Sequence, residues 1–385
     1  MHGKSPLMAV CGTRPEVVKL FPVLGALRAL NHRVLLVSTG QHADLAPRML
    51  SEFGLVADVQ LAPATAGVSP AQQLASMLSR LPPVLAAYRP ALVLVQGDTA
   101  STLAGALAAG YARVPVAHVE AGLRTGEADE PHPEEMHRQL VAPLASLHFA
   151  PTARAAAALL REGVAPERVH ITGNSGIDAL FATRARLAAD PALNAHLSAR
   201  HGFAVGAGRP FVLATVHRRE NVGPRLCAIA SALAHLAAFD DLAVAVPLHP
   251  NPAVRVPLQA RLQGLPNVHL LEPLDHAEML WMMQRAALLL TDSGGLQEEA
   301  PSLGLRTLVL RTATERPEAI EAGAAELVPL QSDCIVAAVK RLLAAPPMEA
   351  VHPFGDGRAG KRIAALVDEW LGVSRALPDA LATPA

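Results

Sequence analysis

Short unbroken runs of apolar residues alternate along this chain with longer segments rich in alanine and leucine. The runs at 7–11, 34–38, 92–96, 114–119 and 147–150 are apolar at nearly every position, as in strands covered on both faces. Between them, residues 15–30, 99–110 and 152–162 predict helices that cross from one strand to the next. That is the βαβ pattern of a parallel sheet. The pattern then restarts. Residues 211–215, 242–246, 268–270, 287–291 and 307–310 read as a second set of strands with helices between them. One helical stretch at about 176–197 and a turn-rich piece at 201–210 separate the two sets. The expectation is an α/β protein of two parallel-sheet domains, 1–174 and 175–362, with no internal repeat.

Length agrees with that division, since 385 residues suit two domains at roughly 100–200 residues each. Hydrophobic residues make up 51% and charged residues 17%, enough to bury two sizeable cores. The formal net charge of −1 builds no basic field, so nucleic acid is excluded as a partner and a small molecule is expected. Cys11, Cys227 and Cys334 are odd in number, far apart and without metal-type spacing, which predicts free thiols in a reducing compartment. The apolar stretch near the N-terminus is too short for a signal peptide's core. The longest mainly apolar region, 226–239, is too short to span a bilayer. A cytoplasmic protein without a membrane partner is expected. The Ala/Pro-rich tail at 376–385 is expected to fray.

In doubly wound sheets, ligands bind beyond the carboxyl ends of the strands. The unusual residues fall at those ends: Gly12 to Glu16, Gly97 to Thr99, Glu120 to Thr125, His217 to Asn221 and Asp292 to Gly295. Turn chemistry explains glycine there, but not repeated Arg, His, Asp and Glu. In Asp292-Ser293-Gly294-Gly295, two glycines open a helix start to a ligand, which makes an anion site. Glu298 and Glu299 follow one turn later, placed for ribose hydroxyls. Taken alone, the motif is equally a Ser N-cap followed by flexible glycines. In Gly12-Thr13-Arg14-Pro15-Glu16, Pro15 suits the first helical turn, and Arg14 and Lys19 are set to face a diphosphate. A capped helix with a solvated Arg reads equally well. Two such phosphate-type sites, one per domain, suggest one ligand clamped between them. The acid–base candidates are Asp98, Glu120, Glu134 and His217, because clustered carboxylates with a histidine let one group take a proton while another gives one. Singly, each also suits a cap or an ion pair.

Other motifs fail. Residues 355–362 resemble a P-loop, but Arg362 stands where Ser or Thr is needed. No G-x-G-x-x-G follows the first strand, which argues against NAD. Glu134-x-x-His137 has di-iron spacing but no second copy, and there is no H-E-x-x-H, so neither a metal nor a cofactor is expected.

Together these motifs resemble the bacterial non-hydrolysing UDP-N-acetylglucosamine 2-epimerases over nearly the whole chain. The matching residues include Gly12-Thr13-Arg14-Pro15-Glu16, Gln41-His42, Gly97-Asp98-Thr99, His118 through Thr125, and Pro133-Glu134-Glu135. They continue with Thr172-Gly173-Asn174, His217 through Asn221, His249-Pro250-Asn251-Pro252, Thr291 through Gly304, Thr314 through Glu318, and Pro353 through Gly357. The resemblance implies two Rossmann-like domains facing a cleft, of glycosyltransferase-B type, with a C-terminal helix at 363–375 returning to the first domain. It implies reversible conversion of UDP-N-acetylglucosamine to UDP-N-acetylmannosamine for surface polysaccharides, by a homodimer, with UDP as the other ligand. The implied route is elimination of UDP to a 2-acetamidoglucal, then re-addition. Asp98, Glu120, Glu134 and His217 match the family's catalytic positions. Arg14, Lys19, Arg138, His249, Ser293, Gly294, Gly295, Glu299 and Arg316 match positions that contact UDP or sugar, with Glu299 on the ribose.

Departures mark where this chain differs. The stretch after Gln41 and His42, through Arg48, lacks the family's usual residues, which puts its second, activating sugar-nucleotide site in doubt. Met279 replaces an aromatic residue beside the uracil. His132 and His137 replace a usual aromatic residue and a usual Asn. The competing readings are a hydrolysing epimerase that releases N-acetylmannosamine, an epimerase for a related uronic acid, a transferase of the same fold, and a catalytically dead sensor.

Overall fold

The computed structural model describes residues 5–42, 45–63, 67–127, 131–205 and 209–376. Ala43 and Asp44 of the departing segment, and the tail from 377 that was expected to fray, lie outside the described residues. The chain forms two compact units, Met1–Ala179 with Gly355–Ala385, and Leu180–Phe354.

The first unit runs β1 (Leu7–Cys11), α1 (Arg14–Ala29), β2 (Val34–Ser38), α2 (Leu45–Glu52), β3 (Val59–Gln60), α3 (Pro70–Tyr88), β4 (Leu92–Gln96), α4 (Ala100–Tyr111), β5 (Val116–Val119), α5 (Glu134–Val141), β6 (Leu147–Ala150), α6 (Ala153–Arg161) and β7 (Val169–Ile171). Its sheet has the order β3-β2-β1-β4-β5-β6-β7, with every pairing parallel. Helix α7 (Ser175–Ala189) carries the chain across the division. The second unit continues with α8 (Pro191–Arg200), β8 (Phe211–Thr215), α9 (Pro224–Leu236), β9 (Ala243–Pro247), α10 (Pro252–Leu262), β10 (Val268–Leu271), α11 (His276–Met283), β11 (Leu288–Thr291), α12 (Gly294–Glu299), β12 (Thr307–Val309), α13 (Pro317–Glu321), β13 (Ala325–Leu327) and α14 (Ser332–Leu343). Its parallel sheet has the order β10-β9-β8-β11-β12-β13. Helix α15 (Ala359–Ala376) belongs to the first unit.

The apolar runs form central strands because each strand face has its own core. In β1, Leu7, Ala9 and Cys11 pack into one cluster with α1 and α15, while Met8 and Val10 pack into another with α3 and α4. In β8, Val212 and Ala214 face one cluster and Phe211 and Leu213 the other. β5 starts at Val116 rather than 114, since Pro115 has no N–H for the ladder. The expected single helix at 176–197 is two, α7 and α8. Pro191 opens the second, and the Asp190 carboxylate caps it by accepting from Leu193 N at 2.9 Å.

The returning helix α15 is anchored by α7. Asp178 accepts from Ala359 N at 3.1 Å and Gly360 N at 2.9 Å, satisfying two N–H groups that a helix start leaves open. Ile363, Ala364, Val367 and Leu371 then join Leu20, Leu24 and Leu27 of α1 in the core. The two helices meet at Gly360, where an added Cβ would lie 2.8 Å from the backbone C and O of Pro22. Gly360→Val is expected to force them apart and cost about 1–3 kcal/mol. A denaturant titration checks this, and an unchanged midpoint would refute the close-contact argument.

Both sheets reverse their winding where β1 meets β4 and β8 meets β11. At such switch points the flanking loops part and leave a crevice at the carboxyl ends of the strands. Gly12 and Asp98 follow β1 and β4, while His217 and Asp292 follow β8 and β11.

Candidate active site

At the switch point of the first unit, the loop after β1 is closed by its own carboxylate. Glu16 is fully buried, and its Oε2 accepts from Gly12 N at 2.9 Å and Thr13 N at 2.7 Å. Its Oε1 accepts from Thr99 Oγ1 at 2.7 Å, across the switch point. Burial raises the Glu16 pKa, against the pull of these hydrogen bonds. The N–H groups of Gly12 and Thr13 are thus spoken for within the loop. Gly12 admits no side chain, since a Cβ would sit 2.1 Å from Thr39 Oγ1 and 2.2 Å from Ser101 Oγ. Gln41 braces the same corner, its Oε1 accepting from Ser101 N at 2.9 Å and Ser101 Oγ at 2.7 Å. His42 is exposed at the surface, donating its backbone N–H to Gly12 O at 2.9 Å.

Asp98 and Glu120 stand at the ends of adjacent strands, β4 and β5. Each carboxylate holds a cation. Glu120 Oε1 is ion-paired with Lys19 Nζ, and its Oε2 accepts from the Gln96 side-chain amide. Its backbone has φ +63°, a left-handed conformation uncommon for a residue with a side chain and concentrated at functional sites. Asp98 Oδ2 accepts from Arg138 Nε at 2.8 Å and pairs with a second guanidinium nitrogen of Arg138 at 2.6 Å. Arg138 also donates at 2.8 Å to Glu135, which is fully buried and accepts from Thr125 N at 3.2 Å. Glu134 opens α5 one turn before Arg138 and is half-buried, as is Arg14 at the start of α1. Lys19, expected to face a diphosphate, is nearly buried against Glu120 instead of standing open.

In the second unit, Asp292 organises the switch point. It is fully buried and accepts from His217 N, Arg218 N at 2.9 Å and Asn221 Nδ2 at 2.9 Å, and it pairs with His217 Nδ1 at 2.9 Å. Burial works against its charge, but His217, the Arg218 N–H and Asn221 outweigh that and hold its pKa below the usual value. With Nδ1 turned to the carboxylate, His217 presents Nε2 outward, the arrangement of an oriented acid–base histidine. The His249 ring stacks on it at 5.8 Å between centroids, and His249 Nδ1 accepts from Asn251 N at 3.2 Å.

Helix α12 begins behind Asp292. Ser293 is its N-cap residue, but its hydroxyl makes no cap bond, so the first N–H groups are not closed by that side chain. A Cβ at Gly294 would meet the Arg316 guanidinium at 2.5 Å and displace it, whereas Gly295 faces open space. Arg316 donates from Nε to Glu298 at 2.6 Å and is ion-paired with Glu315, which also holds Arg311 at 2.6 Å. Glu299 is nearly buried, 3.5 Å from His276 Nε2. Met279 packs on the cluster around Trp281.

Glu298, placed with Glu299 for the ribose by the sequence, is held by Arg316. Glu16, Glu135 and Glu315 carry no sequence-derived role, and the sequence does not join Asp292 to His217. Their acidity was visible, but their partners were not, since the Asp292–His217 contact spans 75 positions. Among the described residues, no group of three or more His, Cys, Asp and Glu could hold a metal ion. No described helix is long and apolar enough to cross a membrane.

Comparison with known proteins agrees over most of the chain. A family model described as UDP-N-acetylglucosamine 2-epimerase matches residues 26–368. A Salmonella typhimurium protein named UDP-N-acetylglucosamine 2-epimerase is 43% identical over 93% of this chain and 96% of its own length. The crystal structure of the Neisseria meningitidis UDP-GlcNAc 2-epimerase bound to UDP-GlcNAc superposes with a TM-score of 0.90 at 36% identity, over 94% of this chain and 100% of that one. A Staphylococcus aureus co-structure with UDP gives a TM-score of 0.88 at 37% identity, over 96% of this chain and 97% of that one.

Proposed function

Since this chain belongs to the UDP-N-acetylglucosamine 2-epimerase family, we propose that it interconverts UDP-N-acetylglucosamine and UDP-N-acetylmannosamine without hydrolysis, by elimination and re-addition of UDP. The observation that carries this reading is the pair of carboxylates, Asp98 and Glu120, at the ends of adjacent strands, each already paired with a cation. Epimerisation at C2 needs one group to remove a proton from one face and another to return it to the opposite face. Two carboxylates in distinct settings, with Glu134 nearby on α5, meet that need.

In the first step a carboxylate takes the C2 proton, the C–H electrons form the C1=C2 bond, and the C1–O bond breaks with its electrons leaving on UDP. A second group then delivers a proton to the other face of C2, and the diphosphate oxygen adds back at C1. C2 has no carbonyl in the ring to acidify it, so stabilising the departing diphosphate is the main electrostatic task. His217 Nε2, His249, Arg316 and the start of α12 with Ser293, Gly294 and Gly295 are assigned to that anion, and so is Arg14. Glu299 takes the ribose hydroxyls, and Met279 replaces a ring beside the uracil. Arg138 and Lys19 act through the carboxylates they hold. The family resemblance further suggests a cytoplasmic homodimer.

The test is NMR of the protein with UDP-N-acetylglucosamine in D2O. UDP-N-acetylmannosamine carrying deuterium at C2 is expected. Free N-acetylmannosamine with UDP would move the chain to the hydrolysing reaction, and undeuterated, unchanged substrate would overturn the assignment.

A further inference from the structure

Asp98 is gripped by more than its ion pair. The carbonyl of Gly97 accepts a 2.7 Å hydrogen bond from His118 Nε2, and the carbonyl of Asp98 itself accepts a 2.8 Å hydrogen bond from His137 Nδ1. A carbonyl only accepts, so both imidazoles donate, and their protonated nitrogens are set: Nε2 of His118 and Nδ1 of His137. Both rings are buried, at 1% and 4% exposure. Burial, the largest influence, lowers the His118 pKa to about 4, so that ring is neutral at ordinary pH. On the far side, the Thr99 hydroxyl is held by Glu16 and accepts from Thr102 N at 3.1 Å. The residues before and after Asp98 are therefore fixed independently of its side chain.

The two histidines come from different elements. His118 lies in β5, two residues before Glu120, and His137 lies in α5, next to Arg138. Helix α5 thus holds Asp98 twice, the carboxylate through Arg138 and the main chain through His137. We propose that His137, with His118 beside it, is a positioning residue that clamps the main chain at Gly97 and Asp98 and so aims the Asp98 carboxylate at the sugar. This rests on the reading that Asp98 handles a C2 proton. Neither ring needs to touch substrate. The arrangement matters because Gly97 has φ +73° and supplies no side chain to resist rotation of the turn. A displacement of about 1 Å in a reacting group can cost on the order of 100-fold in rate.

The test compares His137→Leu, His137→Asn and His137→Gln in the full chain, with steady-state kinetics on UDP-N-acetylglucosamine. Asparagine places an amide N–H close to where the imidazole Nδ1–H stands, while glutamine carries its amide one bond further out. The clamp predicts that leucine lowers kcat by about tenfold or more with KM nearly unchanged, and that asparagine restores most of it. If the leucine variant does not fold, the amide pair decides: asparagine keeps kcat and glutamine loses it. Equal kcat in those two, or a leucine variant with wild-type kcat, overturns the clamp. Asp98→Asn serves as the reference. If it is inactive while His137→Leu is fully active, the clamp fails and the epimerase reading stands. If Asp98→Asn is itself fully active, the role of Asp98 fails and takes the clamp with it.

Discussion

Asp98→Asn is expected to lower kcat by about 10²–10⁴-fold, the usual contribution of a positioned acid–base group. The amide keeps the size of the side chain but cannot take up a proton, and it offers Arg138 a neutral oxygen. Arg138 retains its 2.8 Å bond to Glu135, so the guanidinium keeps one carboxylate and the local fold should survive. UDP affinity should stay close to that of the unmodified chain, because the diphosphate ligands are assigned elsewhere. Steady-state kinetics and UDP titration separate the two quantities. A loss of rate matched by an equal loss of UDP affinity would mean that Asp98 binds rather than reacts. A loss smaller than about tenfold would remove it from the chemistry.

Asp292→Asn should damage both stability and rate. Asp292 is fully buried, and its carboxylate serves His217, Arg218 N and Asn221 together. An amide would turn an N–H toward some of these donors. Breaking a buried charged network from one side costs on the order of 3 kcal/mol. His217 would also lose the partner that sets its proton on Nδ1, and kcat should fall by about 10²-fold or more. The pH dependence has a definite sign. The folded pKa of Asp292 is depressed, so its contribution is complete above the ordinary carboxylate range and is lost as pH falls through the depressed value. The stability gap between wild type and Asp292→Asn should therefore be widest near neutrality and narrow in acid. Denaturant titrations across that range measure it, and a gap independent of pH would show that the charge of Asp292 is not what stabilises the site.

Much of the architecture was legible in the linear pattern. Both sets of central strands, the crossover helices and the strand-end positions of Asp98, Glu120, His217 and Asp292 could be read from apolar runs followed by polar residues. This works because a strand buried on both faces reads as a near-continuous apolar run. The edge strands β3, β7 and β13 were missed for the converse reason. They have two or three residues and are partly exposed, so they show no continuous run. The break between α7 and α8 was written in Asp190-Pro191 but hidden by the alanine-rich sequence on either side.

Residue types and their strand-end positions, then, were determined by sequence alone, and so was the family resemblance. Tertiary structure decided who holds whom. Lys19 meets Glu120 across 101 positions, Arg138 meets Asp98 across 40, and Asp178 caps a helix 181 positions later. Glu16, rather than a ligand, takes the N–H groups of Gly12 and Thr13. Periodicity reports only which face of an element is buried. The partner of a charged group depends on strand order and on the direction in which each side chain leaves its loop, and these are set by the packing of the whole unit.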